Sequence, residues 1–224
     1  MQPTAVSEPI RRRIMQRRGR MRVFTDLDPD KMALVVVDMQ NVFCQPGGAL
    51  EIAPSRETAG NINRLAAACR RRNIPIIWIR SYHQPGGADW RMFFDYFITP
   101  ERGAMAAQQL TERDPGSAIY SEMHVEPTDY VVNKIRYSCF IPGSSNLERL
   151  LRSLERDTII LCGTRSNVCC ESTARDAMML DFKVLFVSDG TSAMSPAEHQ
   201  ATLDTLAQSF ADIVTTDEVL KDIQ

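Results

Sequence analysis

Leu161-Cys162-Gly163-Thr164-Arg165-Ser166-Asn167-Val168-Cys169-Cys170-Glu171-Ser172-Thr173-Ala174-Arg175-Asp176-Ala177 reads as the end of an apolar strand, a short polar turn and a helix with cysteine among its first residues. The strand starts at Thr158-Ile159-Ile160, a continuous apolar run of the kind buried on both faces of a parallel sheet. Ser166 and Asn167 are residue types that cap helix N-termini, so either is expected to cap the helix that follows. A thiol at such a position sits at the positive end of a helix, where its pKa falls below the reference value of about 8.5. The stretch therefore predicts a nucleophile.

Working outward, two further apolar runs end in a charge. Ala33-Leu34-Val35-Val36-Val37 ends in Asp38, and Tyr130-Val131-Val132-Asn133 ends in Lys134. Ligands of open parallel sheets bind outside the carboxyl ends of the strands, which brings Asp38, Lys134 and Cys169 into one crevice despite their separation in sequence. An acid, a cation and a thiol together make an activated nucleophile.

The remaining elements alternate. Gln45-Pro46-Gly47-Gly48 marks a loop. Arg56 to Arg72 is helical in pattern, with Ile62, Leu65, Ala66 and Cys69 on one face. Pro75 to Arg80 is a strand that enters the loop from Ser81 to Asp89. Trp90 to Val125 reads as an irregular insertion, a short helix or lid rich in aromatic residues, and Tyr82 to Val125 is expected to supply much of a pocket. Pro142 to Ser145 opens a helix through Leu154, Phe182 to Gly190 is a strand and turn, Ser195-Pro196 starts a helix through about Phe210, and Ile213-Val214 makes a last short strand. This alternation predicts an α/β fold, a doubly wound, Rossmann-like parallel sheet with right-handed crossovers and helices on both faces. Residues 31–224 are expected to form one domain behind an N-terminal arm, residues 1–30.

Bulk composition limits the function classes. A chain of 224 residues, 44% of them hydrophobic, can bury one sizeable core, and a net charge of -2 offers no overall field for nucleic acid or membrane. The arginines between Ile10 and Arg22 read as a solvated arm or a subunit contact. The six cysteines show no zinc spacing, and no leader or membrane span is apparent, so free thiols in the cytoplasm are expected.

Three segments, taken in order, resemble the isochorismatase-like superfamily and specifically its cysteine hydrolases. They are Val35-Val36-Val37-Asp38-Met39-Gln40-Asn41, Asn133-Lys134-Ile135-Arg136-Tyr137-Ser138, and Gly163 through Thr173. The resemblance spans roughly Lys31 to Leu220. It implies that Asp38 shuttles the proton, that Lys134 is the positioning cation and that Cys169, not Cys170, is the attacking thiolate. It further implies a cis peptide bond between Thr164 and Arg165, and an oxyanion hole made by the backbone N–H groups of Arg165 and Cys169. The family commonly has a small residue where this chain has Arg165.

Within that superfamily the segments are most similar to the ureidoacrylate amidohydrolase group. The resemblance thus implies hydrolysis of a small amide or ureido substrate, with Arg165, Arg136, Arg80 and Asn41 as candidate substrate-binding residues. Nicotinamidases of the superfamily carry an Asp-x-His pair and a further histidine after the second strand, whereas this chain has Ser81-Tyr82-His83. No metal and no cofactor are expected. Relatives are commonly dimers or tetramers, so a homo-oligomer is expected. Two other readings stay open: a vinyl ether hydrolase of the isochorismatase type, which needs the acid and the lysine but no thiol, and a redox or scaffold protein built on Cys169 and Cys170.

Overall fold

Apolar runs of two to six residues form the strands, and a computed structural model describes residues 2–224 of the chain. Strands β1 (Met32–Val37), β2 (Ile76–Ser81), β3 (Tyr130–Lys134), β4 (Thr158–Thr164), β5 (Lys183–Ser192) and β6 (Asp212–Val214) pair in parallel in the order β3-β2-β1-β4-β5-β6. The chain builds outward from β1 through β2 to β3, then crosses back to lay β4 on the other side of β1. That reversal leaves a crevice at the carboxyl ends of β1 and β4.

The helices are α1 (Glu8–Arg18), α2 (Asn41–Cys44), α3 (Ser55–Arg71), α4 (Arg91–Tyr96), α5 (Pro100–Gln109), α6 (Leu147–Ser153), α7 (Glu171–Met179), α8 (Pro196–Ser209) and α9 (Thr216–Asp222). Side chains alternate along β1, as the pleat requires. Met32, Leu34 and Val36 pack with Ile62 and Leu65 of α3 and Val219 of α9. Ala33, Val35 and Val37 pack on the other face with Leu151 of α6, Ala174 of α7 and Leu203 of α8. Both faces are covered, which explains why β1 and β4 read as unbroken apolar runs. Each Val or Leu so buried stabilises the fold by about 1.5–3 kcal/mol.

Helix α1 was not legible as a helix, because it is arginine-rich and buries only Ile14. It lies along α8: the Ser7 amide donates to Asp204 Oδ1 at 2.7 Å, and Arg17 donates to the Gln208 carbonyl. Arg22 pairs with Asp222 at 2.6 Å. The basic segment is therefore packed against the chain's own α8 and α9. Helix α9 was also unforeseen, although Thr215 and Glu218 form a reciprocal capping box at its start.

The expected cap after β4 is not made. A π-helical turn, Ser166–Cys170, separates β4 from α7, and neither Ser166 nor Asn167 caps it. Both side chains are engaged elsewhere: Ser166 Oγ lies 2.6 Å from His199 Nδ1, and Asn167 Oδ1 accepts from Arg165 Nε at 3.4 Å. The peptide bond between Thr164 and Arg165 is cis.

Gly163, near the end of β4, is paired in register with Val37 and has a φ of +112°. A Cβ at this position would lie 2.0 Å from the Val37 carbonyl oxygen. Glycine is thus required both by conformation and by the closeness of β1 to β4 at the crevice. Gly163→Ala is expected to destabilise the protein by at least about 3 kcal/mol, by combining backbone strain with overpacking. A urea unfolding midpoint within error of wild type would show that the two strands are not held this closely.

Candidate active site

The crevice is assembled from strand ends. Asp38 follows β1 directly, and its φ of +54° turns the chain out of the sheet while its amide still donates to the Ile79 carbonyl at 3.0 Å. Lys134 is the last residue of edge strand β3, in register with Ser81 at the end of β2. Its side chain runs past Ser81 to Asp38, where Nζ lies 2.8 Å from Oδ2, with both side chains only 1% exposed. Lys134 Nζ also donates to Ser81 Oγ at 2.7 Å and approaches Cys169 Sγ at 3.5 Å. Two of the ammonium's protons thus go to Ser81 and Cys169, and Asp38 faces it as the counter-ion.

Asp38 is held from its other side. Ser81 gives Oδ1 two hydrogen bonds, from its amide and from its hydroxyl, each 3.0 Å long. Gln40, fully buried, accepts from the Ser81 amide at 2.7 Å and donates to the Ser81 and Ser117 carbonyls at 3.0 and 2.8 Å. Sequence reasoning assigned no role to Ser81 or Gln40. The available signals were position alone: Ser81 closes an apolar strand, and Gln40 stands two residues after Asp38.

The electrostatics differ from the expectation of a depressed thiol pKa. Cys169 lies in the π-helical turn and is buried, and burial pushes its thiol well above the ordinary cysteine range. Lys134 opposes that effect, while the charge and hydrogen bond of Asp38 reinforce it. The sulfur at rest therefore carries its proton, and ionisation requires an acceptor in contact with it. Burial by itself would depress the Lys134 ammonium, but the Asp38 carboxylate raises it above the usual lysine value, so it remains charged.

A cavity of about 420 Å³ opens above these groups and is lined by Asp38, Ser81, Thr164, Arg165 and Cys169, among others. Cys170 is fully buried in the core on one face of the sheet and does not reach the cavity. Of the candidate substrate contacts, Arg165 lines the cavity and the other three do not. Arg80 Nε donates to Asn133 Oδ1 at 3.1 Å, because it precedes Ser81 on β2 and faces the opposite side. Arg136 donates to the Ile135 carbonyl at 2.6 Å, and its guanidinium stacks 5.2 Å over the Trp90 ring, behind the cavity wall. Asn41 Nδ2 donates to the Pro115 carbonyl at 2.8 Å and ties down the loop. His83 is buried in the cavity wall, 3.2 Å from Asp89, and burial lowers its pKa. Among the described residues, no group of three or more His, Cys, Asp or Glu side chains is placed to hold a metal ion.

Fold and site together define an α/β enzyme with a thiol and an acid lining one cleft and an amine buried against both. Residues 32–218 match the isochorismatase domain, and the chain belongs to the isochorismatase family. It is 31% identical over 206 residues to the ureidoacrylate amidohydrolase RutB of Pseudomonas syringae pv. syringae (strain B728a), covering 86% of this chain and 83% of that one. Among solved structures it is similar to a cysteine hydrolase from Pseudomonas syringae pv. phaseolicola 1448A. The TM-score is 0.80 at 33% identity, over 88% of this chain and 94% of that one. The N-carbamoylsarcosine amidase from Thermoplasma acidophilum gives a TM-score of 0.68 at 26% identity, over 84% of this chain and 97% of that one.

Removing the ammonium from this arrangement leaves the Asp38 carboxylate buried without its counter-ion. Lys134→Met is expected to cost about 3–5 kcal/mol of folding stability, and adding Asp38→Asn to recover part of that loss. Chemical denaturation of the single and double variants measures both. Equal stability of the two would argue against an ion pair at this site.

Proposed function

We propose that the protein is a cysteine-dependent amidohydrolase that opens a C–N bond of a small amide or N-carbamoyl (ureido) compound without a cofactor. The observation that carries this reading is the cluster at the cavity floor. There the Cys169 sulfur lies 3.5 Å from the Lys134 ammonium, which is itself paired with Asp38 at 2.8 Å. The names of the relatives, a ureidoacrylate amidohydrolase and an N-carbamoylsarcosine amidase, support the choice of bond.

The reaction follows from the resting charges. Asp38 accepts the thiol proton as the sulfur adds to the substrate carbonyl carbon, and Lys134 stabilises the resulting thiolate. The C–O π electrons move onto oxygen, where the backbone N–H groups of Arg165 and Cys169 receive the negative charge. One such donor typically lowers the barrier by about 3 kcal/mol. Collapse of the adduct breaks the C–N bond, and the proton held by Asp38 passes to the leaving nitrogen. A thioester or thiocarbamate remains. Water then gives a proton to Asp38 and adds to the carbonyl carbon, the C–S bond breaks, and the sulfur regains its proton.

Arg165 is the residue best placed to receive an anionic group of the substrate. Its guanidinium is held only loosely, 3.7 Å from Glu198 Oε1 and 3.4 Å from Asn167 Oδ1, and a planar fork suits a carboxylate.

Ammonia release from a panel of ureido acids and simple amides tests the reading. Cys169→Ala is expected to lose at least about a thousand-fold in kcat, as removal of a covalent nucleophile does, while Cys170→Ala keeps most of its turnover. Asp38→Asn is expected to fall with Cys169→Ala. Undiminished hydrolysis by Cys169→Ala would sink the covalent route, and cleavage of isochorismate by that variant at the wild-type rate would put a vinyl ether hydrolase in its place.

A further inference from the structure

The polar floor of the cavity accounts for the bond that breaks, but most of the surface above it is apolar. One wall is an interlocked aromatic group. Trp90 meets Tyr137 edge to face at 4.6 Å between ring centroids, Phe93 at 5.3 Å and His83 in a stack at 5.8 Å. The apolar lining continues with Phe43 and Leu50, which pack on the same cluster as Trp90 and Phe93, and with Ile52. Besides Asp38, the charged side chains in the lining are Glu51, Arg102 and Arg165. Two of these are engaged within the protein: Glu51 pairs with Arg56 at 2.9 Å and accepts from the Gly47 amide, and Arg102 donates to the Ala49 carbonyl at 2.6 Å.

The aromatic wall is fixed from behind. Phe94 packs edge to face on His83 at 5.3 Å, and a Cβ at Gly87 would lie 2.2 Å from the Phe94 ring. Gly87 also has a φ of +67°. The loop before α4 thus depends on glycine to seat Phe94, and Phe94 holds the rings that face the cavity. A space of about 420 Å³ falls within the range of about 300–1,000 Å³ that encloses substantial organic ligands. A short ureido acid would leave the aromatic wall wet.

We infer that this cavity selects substrates carrying a ring-sized apolar group next to the scissile carbonyl or ureido unit, seated against Trp90, Phe93 and Tyr137, over substrates with a short aliphatic chain. The inference rests on the amidohydrolase reading for turnover but not for binding. That distinction allows the two to be tested apart.

Two matched sets of probes serve: benzamide, phenylacetamide and 3-ureidobenzoate against propionamide and 3-ureidopropionate. Wild type is expected to favour the ring set by at least about ten-fold in kcat/KM, the scale set by filling an apolar pocket. Trp90→Ala is expected to bring the ratio close to one, mainly through KM for the ring set, because the lost contact is made equally in the ground and transition states. Gly87→Ala acts from outside the cavity and is expected to lower the ratio as well. The ratio is insensitive to how much of a variant folds, since misfolding lowers both sets together.

Binding is read separately in Cys169→Ala by intrinsic fluorescence. The chain has two tryptophans, and Trp78 is buried in the core, so saturable quenching by benzamide reports Trp90. A preference of wild type for the short set, or a ratio unchanged in Trp90→Ala, overturns the inference while the amidohydrolase reading stands. If no probe in either set is cleaved, the amidohydrolase reading fails. Quenching by the ring set alone then upholds the ring-binding cavity, and its absence overturns it.

Discussion

Everything at the carboxyl end of the sheet is arranged around one buried ammonium. A lysine charge removed from water is tolerated only when it is hydrogen-bonded and its charge is balanced. Lys134 meets that demand through Asp38, Ser81 and Cys169, three residues from three different segments of the chain. The demand works in both directions. Asp38 is as deeply buried as its partner: Ser81 holds its Oδ1 with two hydrogen bonds, and its Oδ2 faces the ammonium as an ion pair. Gln40 in turn fixes the Ser81 backbone, so that the hydrogen bonds at the cavity floor run through to the loop at Ser117. In a low-dielectric interior such a network holds its geometry more firmly than any of its pairs would alone.

The parts of this arrangement visible in the sequence were those marked by a break in pattern. Apolar runs ending abruptly in Asp38 and Lys134 place a charge at the end of a strand, and a parallel sheet turns strand ends into a common crevice. Ser81 gave no such break, since a serine is an ordinary way for a strand to end. Arg80 and Arg136 show the opposite error. A position near a strand end puts a residue close to the crevice, but the two-residue repeat decides which side it faces, and Arg80 shares its side with Asn133 rather than with Ser81 and Lys134. Helix α1 was hidden because a single buried side chain, Ile14, anchors it among arginines. The cap expected from Ser166 failed because a tertiary partner, His199 on α8, took the hydroxyl. Local propensity gave way there to a contact between residues far apart in sequence.

Helix α8 deserves a place beside the strand ends in explaining why the thiol stands where it does. Two of its side chains reach the segment between β4 and α7, Glu198 facing Arg165 at 3.7 Å and His199 meeting Ser166 at 2.6 Å, and Thr202 donates to Glu171, the first residue of α7, at 2.8 Å. The π-helical turn bearing Cys169 is thus held by one rigid helix. Sites held by regular elements keep their geometry better than sites on free loops.

A neutral thiol at rest is consistent with this construction. An anionic sulfur beside the Asp38 carboxylate would place two like charges in a site where burial already disfavours either, and the single Lys134 charge cannot balance both. Keeping the proton on sulfur until an electrophilic carbon arrives leaves one cation facing one anion throughout the resting state. In the proposed reaction, a bound carbonyl takes up the electrons of the sulfur and the negative charge moves away from Asp38 toward the backbone amides. The proposed step turns the carboxylate into a carboxylic acid, so the total charge of the site is conserved while its anion passes from Asp38 to the substrate oxygen. An apolar cavity suits that sequence, because excluding water strengthens each fixed dipole facing the moving charge. In the proposed reaction the aromatic wall would thus serve the chemistry as well as the fit, by supplying dry surroundings in which a displaced charge is held by the protein's own donors rather than by solvent.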